Sequence, residues 1–507
     1  MIAVNNRIIK ALCLVTAILL LFCSCTAKTD TPDEQQQPIY EDKASPEIVQ
    51  ITLPYSQSDS LNPFFATGVE NSALAFLYCQ PLFEVKSDYS AEPVLAESYS
   101  IAENRISVTL KSALFSDGSA VTARDVVYSF NLAKQSPAYS SRLAKVESAL
   151  SVGSDVSFAF TSPDIFGVNL LSFPIVKSGT GSSADSVPTG SGVFMLTGDE
   201  VMTLNPNSQV ISTINTVYLY NVKQLQYITN ELQIGNFNYL FEDFSEGQYK
   251  SIVAENKTIT LNNLVFLGIN SGDALLSSAP LRTAIYYAIN KENVSAGAFQ
   301  GYSKAANTPF NPDLFMLDGV DLPSVNGDKE KCLSILKKTG FNLFNAAGVR
   351  TNGRQALSFS ILVNADNKFR TAAAYKIADE LQSVGIGINV EAVDSATYQQ
   401  RVATGSFQLY LGEVKLTENL DLSVFKDTAV GAGIDKNSKF FESYNLFRQG
   451  GIGIAELAES FYDDMPFVPI CYRAGMAAYS KAYTPDFSYA PFNIYGNIEN
   501  WEAAKPE

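Results

Sequence analysis

Histidine is absent from all 507 residues of this chain. That absence removes Ser-His-Asp and Cys-His nucleophile systems, HExxH zinc sites and any imidazole-ligated nickel. Tryptophan occurs once, and of six cysteines only Cys79, Cys332 and Cys471 follow Cys25. Three cysteines without metal-like spacing allow at most one disulfide and read as buried thiols. Neither a Walker-type phosphate loop nor a CxxC pair is present, and the glycines at Gly179–Gly181 and Gly450–Gly453 lack a strand–turn–helix context, so they read as loops. No cofactor is implied. Basic residues are scarce as well: 36 Lys and Arg stand against 52 Asp and Glu, a net charge of −16. Such a balance argues against nucleic acid and against electrostatic attachment to anionic lipid. Beyond the N-terminal segment no apolar run is long enough to span a bilayer.

What is there begins with an export signal. Arg7 and Lys10 form a positive n-region, and Ala11–Phe22 is an apolar run too short for a membrane span. Ser24-Cys25 ends it. A small residue before a cysteine is what lipoprotein signal peptidase accepts, so Cys25 is the expected lipidation site, whereas Cys23 follows bulky Phe22. Phe22 also stands where such signals usually carry leucine, and an ordinary cleaved signal with Cys25 incidental is the alternative. Removing residues 1–24, with two basic residues and no acid, takes the net charge from −16 to −18. Residues 25–46 are polar, with Gln35–Gln37 and several prolines, and read as a tether. Twenty flexible residues span about 25 Å, enough to hold a folded body clear of a membrane surface.

The body is too long for one core and predicts two or three lobes. Ile48–Pro54 alternates and predicts the first strand, and a helix follows from Asn71 to Cys79. Residues 84–178 read mostly as short strands, and three short alternating runs fill Ser191–Leu219. Asn262–Asn270 predicts a strand, and Pro280 opens a helix running to Asn290. Then the alternation is regular: strand Ala356–Val363, helix Thr371–Val384 closed by Gly385, strand Ile388–Val393, helix Ala396–Ala403, strand Phe407–Val414. That order implies a parallel sheet covered on both faces, with ligands beyond the carboxyl ends of its strands. Gly412–Asn419 is expected just past such an end.

One stretch organises the rest. Ala91–Phe130 contains PVLAES at Pro93–Ser98, the strand Ile106–Lys111, the turn Phe115-Ser116-Asp117-Gly118 and a helix. Thr122 and Asp125 have capping-box spacing, with Val126, Val127 and Phe130 forming an apolar stripe behind them. Read whole, PVLAES followed by FSDGSAVTARDVVYSF resembles the signature of family 5 extracytoplasmic solute-binding proteins, the oligopeptide, dipeptide and nickel receptors of ABC importers. The resemblance extends to Leu61-Asn62-Pro63, to Tyr78–Phe83 and to Pro188–Gly192. Farther on it takes in Leu281–Asn290 and Leu381–Val390.

The resemblance implies an α/β, two-lobed, periplasmic-binding-protein-like type II fold, with an extra subdomain in lobe one and a hinge cleft. Lobe one would span 47–262, with its subdomain at about 66–178. Lobe two would span 263–468, and 469–507 would return to lobe one. The implied function is capture of a small solute, a peptide first of all, by a monomeric receptor. ABC permease subunits would be its partners, it would touch the membrane only through its N-terminal lipid, and it would do no chemistry. The same resemblance places ligand contacts at Thr67, Gly68 and Val69 in lobe one and at Glu413, Val414, Lys415, Thr417 and Glu418 in lobe two. Peptide receptors of this type carry tryptophan and then an aspartate for the peptide's α-ammonium. Here Glu413 replaces the tryptophan and no aspartate occurs before Asp421. Glu413 or Glu418 would have to stand in, with Lys415 free to meet a carboxylate. Gln80 and Asn238, each replacing an acid usual in the family, read as packing variants. Two alternatives stay open: a receptor or sensor for a non-peptide solute such as an oligosaccharide, and an extracytoplasmic glycoside hydrolase working through paired carboxylates.

Overall fold

The computed structural model describes residues 49–245, 252–426 and 428–503. The export signal, Cys25 and the tether lie outside the described residues. In chain order the elements that matter here begin with β1 (Val49–Tyr55), α1 (Val69–Tyr78), β2 (Ala96–Ala102), β3 (Arg105–Leu110), α2 (Ala123–Gln135), β4 (Val146–Val152) and β5 (Asp155–Phe160). Next come β6 (Phe194–Gly198), β7 (Val201–Leu204), β8 (Ile214–Asn221), β9 (Tyr239–Glu242), β10 (Glu255–Ile269) and α3 (Ala279–Ala288). The last group is β11 (Ser358–Asn364), α4 (Lys368–Gln382), β12 (Gly387–Val393), α5 (Ser395–Ala403), β13 (Leu409–Lys415) and β14 (Phe467–Tyr479).

Two large cores divide these elements. In one, Ile51 and Leu53 of β1 pack with Phe83, Phe158, Phe173, Ile259, Leu261 and the lone Trp501. In the other, Leu264 and Val265 pack with Ile285, Ile361, Leu411, Phe461, Phe467 and Ile470. β10 runs through both cores: Ile259 and Leu261 belong to the first, Leu264–Ile269 to the second. β14, its antiparallel partner, does the same in the opposite direction, with Ile470 in the second core and Ala477 in the first. Between Thr260 and Leu264 the pairing register shifts. This bulge breaks the ladder locally, which is where a strand bends most readily.

The first core carries two four-stranded sheets. One has the order β1-β8-β7-β6, with β1 parallel to β8, and the other has the order β2-β3-β5-β4. α2 covers the second sheet, burying Val126 and Phe130 but leaving Val127 half-buried. Its start is held as the spacing predicts: Asp125 Oδ2 accepts the backbone N–H of Thr122 at 2.9 Å and its hydroxyl at 2.6 Å. The other oxygen of Asp125 accepts the N–H of Ser178 at 2.8 Å, so the capping carboxylate also anchors the Ser/Gly-rich loop. The Pro188–Gly192 motif has an equally physical reason. A Cβ on Gly190 would lie 1.9 Å from the carbonyl oxygen of Tyr78, and one on Gly192 2.4 Å from that of Leu77. Only glycine lets this loop lie against the end of α1.

The central sheet has the order β9-β14-β10-β13-β11-β12. The expected strand–helix alternation is present, each element within three residues of its expected limits. The sheet itself is mixed rather than parallel throughout. β11 pairs in parallel with both β12 and β13, but β13 runs antiparallel to β10. Two further corrections follow from β10. It begins at Glu255, seven residues before the expected strand, because Glu255–Thr258 are exposed at the sheet end and give no apolar signal. And Gly412–Lys415 are not past a strand end: Lys415, Val414 and Glu413 still pair with Asn263, Leu264 and Val265 of β10, so only residues 416–419 lie beyond the strand. Cys79, Cys332 and Cys471 are buried free thiols, as their spacing predicts.

Candidate functional site

At the bulge of β10 the chain turns polar while remaining buried. Asn262 donates to the carbonyls of Leu416 at 3.0 Å and Thr417 at 3.2 Å, just beyond the end of β13. Its Oδ1 accepts the hydroxyl of Tyr89 at 2.5 Å. Asn311 donates to that same tyrosine oxygen at 2.6 Å and to the carbonyl of Leu261 at 3.1 Å. Asn169 donates to the carbonyls of Tyr89 and Glu418. Buried amides with their partners in place hold one arrangement tightly, because every broken bond strands a polar group. The network locks the crossing strand to the segment that leaves β13.

Beside this junction lies a cavity of about 470 Å³. It opens at the carboxyl ends of the parallel strands β11 and β13, the position where open α/β sheets collect ligands. Asn364 ends β11, and Asp366, Asn367 and Arg370 form the entry to α4, where Asn367 Oδ1 caps the N–H of Arg370 at 2.9 Å. Glu413 and Lys415 come from β13, Asn263 from β10, and Asp243 and Ser245 from the chain just after β9.

Glu413 is the most constrained charge in this cavity. Its Oε2 lies 3.5 Å from Arg473 Nη1 and 3.9 Å from Arg370 Nε, and its Oε1 accepts a hydrogen bond from Asn263 at 3.2 Å. Burial raises its carboxyl above the ordinary carboxylate range, although Arg473 and Arg370 pull the other way. Arg473, from β14, is fully buried. It donates to the carbonyls of Phe244 at 2.6 Å and Ser245 at 3.1 Å, and its guanidinium lies 4.6 Å from the centre of the Phe299 ring.

The residues expected from the sequence fall into separate settings. Glu413 and Lys415 line the cavity, and Val414 pairs with Leu264 on the neighbouring strand. Glu418 is committed elsewhere: it forms an ion pair with Arg142 and accepts the Ser172 hydroxyl at 2.6 Å. Thr417 gives its carbonyl to Asn262 and its hydroxyl to Asn419. Asp421 extends the same docking, pairing with Lys145 at 2.5 Å; burial pushes its carboxyl up, but Lys145, the N–H of Ser423 and Arg448 together keep it below the ordinary range. Asn419 donates to Asp164 at 2.7 Å. Thus residues 418–421 clasp the 142–172 region. On the other side, Thr67 and Gly68 donate to Asp59, and Val69 is exposed at the start of α1. Among the described residues no hydrogen bond or ion pair joins Thr67, Gly68 or Val69 to the residues from 413 to 418.

Arg370, Asn263 and Arg473 were not expected. Arg473 had a sequence signal: it is the only charge in the apolar strand FVPICYRAGMAAY, where a lone arginine must be paired. The two packing variants behave as predicted for Asn238, whose Oδ1 accepts the N–H of Thr52 at 2.7 Å and so fastens β1. Gln80 contributes its carbonyl to Ile175.

Comparison with known proteins agrees with this architecture. The oligopeptide-binding protein AppA of Bacillus subtilis is 21% identical over 497 residues, covering 89% of both chains. Among solved structures, NikA from Brucella suis in complex with Fe(III)-EDTA superposes with a TM-score of 0.65 at 16% identity, covering 89% of this chain and 100% of that one. AppA from Bacillus subtilis in complex with a nonapeptide gives 0.53 at 18% identity, over 90% and 99%. Residues 90–423 match the family model described as bacterial extracellular solute-binding proteins, family 5 Middle. The chain therefore belongs to the family 5 bacterial extracellular solute-binding proteins.

Proposed function

We propose that the chain is the receptor of an ABC importer, holding a small solute, in the first instance a peptide, in the cleft beside the β10 bulge. The observation that carries this reading is the polar cavity at the carboxyl ends of β11 and β13, beside the bulge in the strand linking two cores. Residues on both sides of that bulge could then move toward each other around a bound molecule. The name of the oligopeptide-binding relative supports a peptide. Membership in a family of solute-binding receptors removes the hydrolase alternative. The lobe limits that follow are 47–262 and 263–468, with 469–507 returning to the first. The division between two cores supports the first limit, with Leu261 in one core and Leu264 in the other, whereas residues 470–472 still pack in the second core and Ala477 is in the first. Anchoring through a lipidated Cys25 and action as a monomer complete the reading. Among the described residues no helix is long and apolar enough to cross a membrane. Native mass spectrometry of protein purified without denaturation tests the solute class. A co-purified peptide is expected, and a co-purified oligosaccharide would favour the non-peptide alternative.

A further inference from the structure

This inference rests on the cavity being the solute site. The acids expected to meet a peptide's ammonium are both already occupied: Glu418 by Arg142 and Ser172, and Glu413 by Arg473 and Asn263. The underused group is a cation. Among the described residues no oxygen accepts a hydrogen bond from the Arg370 guanidinium; its one ion pair is the long one to Glu413, 3.9 Å from Nε, and that Nε is buried without a hydrogen-bond partner. Lys415, exposed on the same wall, has no ion pair among the described residues. The start of α4, a 15-residue helix, adds its partial positive charge. A second unmet group lies on the neighbouring strand, in register with Lys415. Asn263 is only 9% exposed and lines the cavity, yet its Oδ1 has no partner. The amide cannot simply be turned over, because its nitrogen donates to the Glu413 carboxylate. Two further acids face the cavity. Asp243 accepts the N–H of Ser245 at 2.8 Å, and exposed Asp366 accepts that of Ser395 at 3.2 Å.

We propose that the cleft reads a carboxylate: Arg370, with Lys415 beside it, receives an anionic group of the solute, while Asn263 Oδ1 receives one of its N–H donors. A guanidinium fork matches a carboxylate in two parallel hydrogen bonds, and a backbone amide supplies the donor. The substrate class is a peptide with a free carboxyl end, and a blocked amino end is tolerated. The test uses a randomised pentapeptide pool in three forms: unblocked, amidated at the carboxyl end, and acetylated at the amino end. Capture by the purified protein is read by native mass spectrometry. Amidation should lower capture about tenfold to a hundredfold, the scale of one charge-assisted pair, and acetylation should change it less than about threefold. Arg370→Gln should bring the unblocked pool down to the amidated level, and Lys415→Gln, on an exposed side chain, should move it the same way by less. Equal capture of amidated and unblocked pools, or loss on acetylation alone, would overturn the carboxylate assignment while leaving a peptide receptor. Capture of no pool would overturn the peptide reading, and this assignment with it.

Discussion

Replacing Arg473 by methionine and Glu413 by glutamine should have very different costs, although the two residues face each other. At an effective dielectric of about 20, unit charges 3.5 Å apart attract by about 5 kcal/mol. Holding a carboxylate out of water takes back several kcal/mol, and the raised carboxyl of Glu413 says that burial wins. Arg473→Met leaves that carboxylate with Asn263 and a guanidinium 3.9 Å away, so the loss should be about 3–5 kcal/mol. Glu413→Gln keeps an oxygen for Asn263, and Arg473 keeps the carbonyls of Phe244 and Ser245 and the face of Phe299. Its cost should stay within about 1 kcal/mol. The pH dependence has a definite sign. A carboxyl raised above its ordinary value of 4.5 favours the folded state most when protonated, below that value, and loses this contribution as pH rises through its folded value. Glu413→Gln should therefore gain on the wild type as pH rises above 4.5, the ordinary value. Urea denaturation of the three proteins at several pH values is the assay. Equal losses for both variants, or a gap between Glu413→Gln and wild type that moves the other way with pH, would refute the argument.

Two other outcomes follow from the same geometry. Cys25→Ala should release the protein from membranes on cell fractionation, since the lipid proposed at Cys25 would contribute about 0.8 kcal/mol per buried CH₂ and among the described residues no helix is long and apolar enough to cross a membrane. Asn262→Ala should cost about 3 kcal/mol in urea denaturation, because it strips the carbonyls of Leu416 and Thr417 of a donor and the Tyr89 hydroxyl of an acceptor, all beside the strand bend.

Local features were legible in the sequence because their causes are local. The α2 cap depends on residues three apart, and the run from β11 to β13 depends on apolar spacing within each segment. What escaped was set by partners far along the chain. Glu418 reads as a free loop acid until Arg142, 276 residues away, is brought against it. Glu413 and Arg473 lie on different strands with β10 between them, and no spacing rule links them. The first half of β10 escaped because its polar residues hydrogen-bond as a strand without burying a face.

Hinge closure around a solute is the central claim, and small-angle scattering tests it most directly. Protein saturated with a tightly captured peptide should show a smaller radius of gyration than the same protein freed of ligand. At a hundredfold excess over Kd its stability should rise by about 2.7 kcal/mol, the mass-action term alone. An unchanged scattering curve under that same stabilisation would mean that the solute binds without moving the lobes, and would contradict closure.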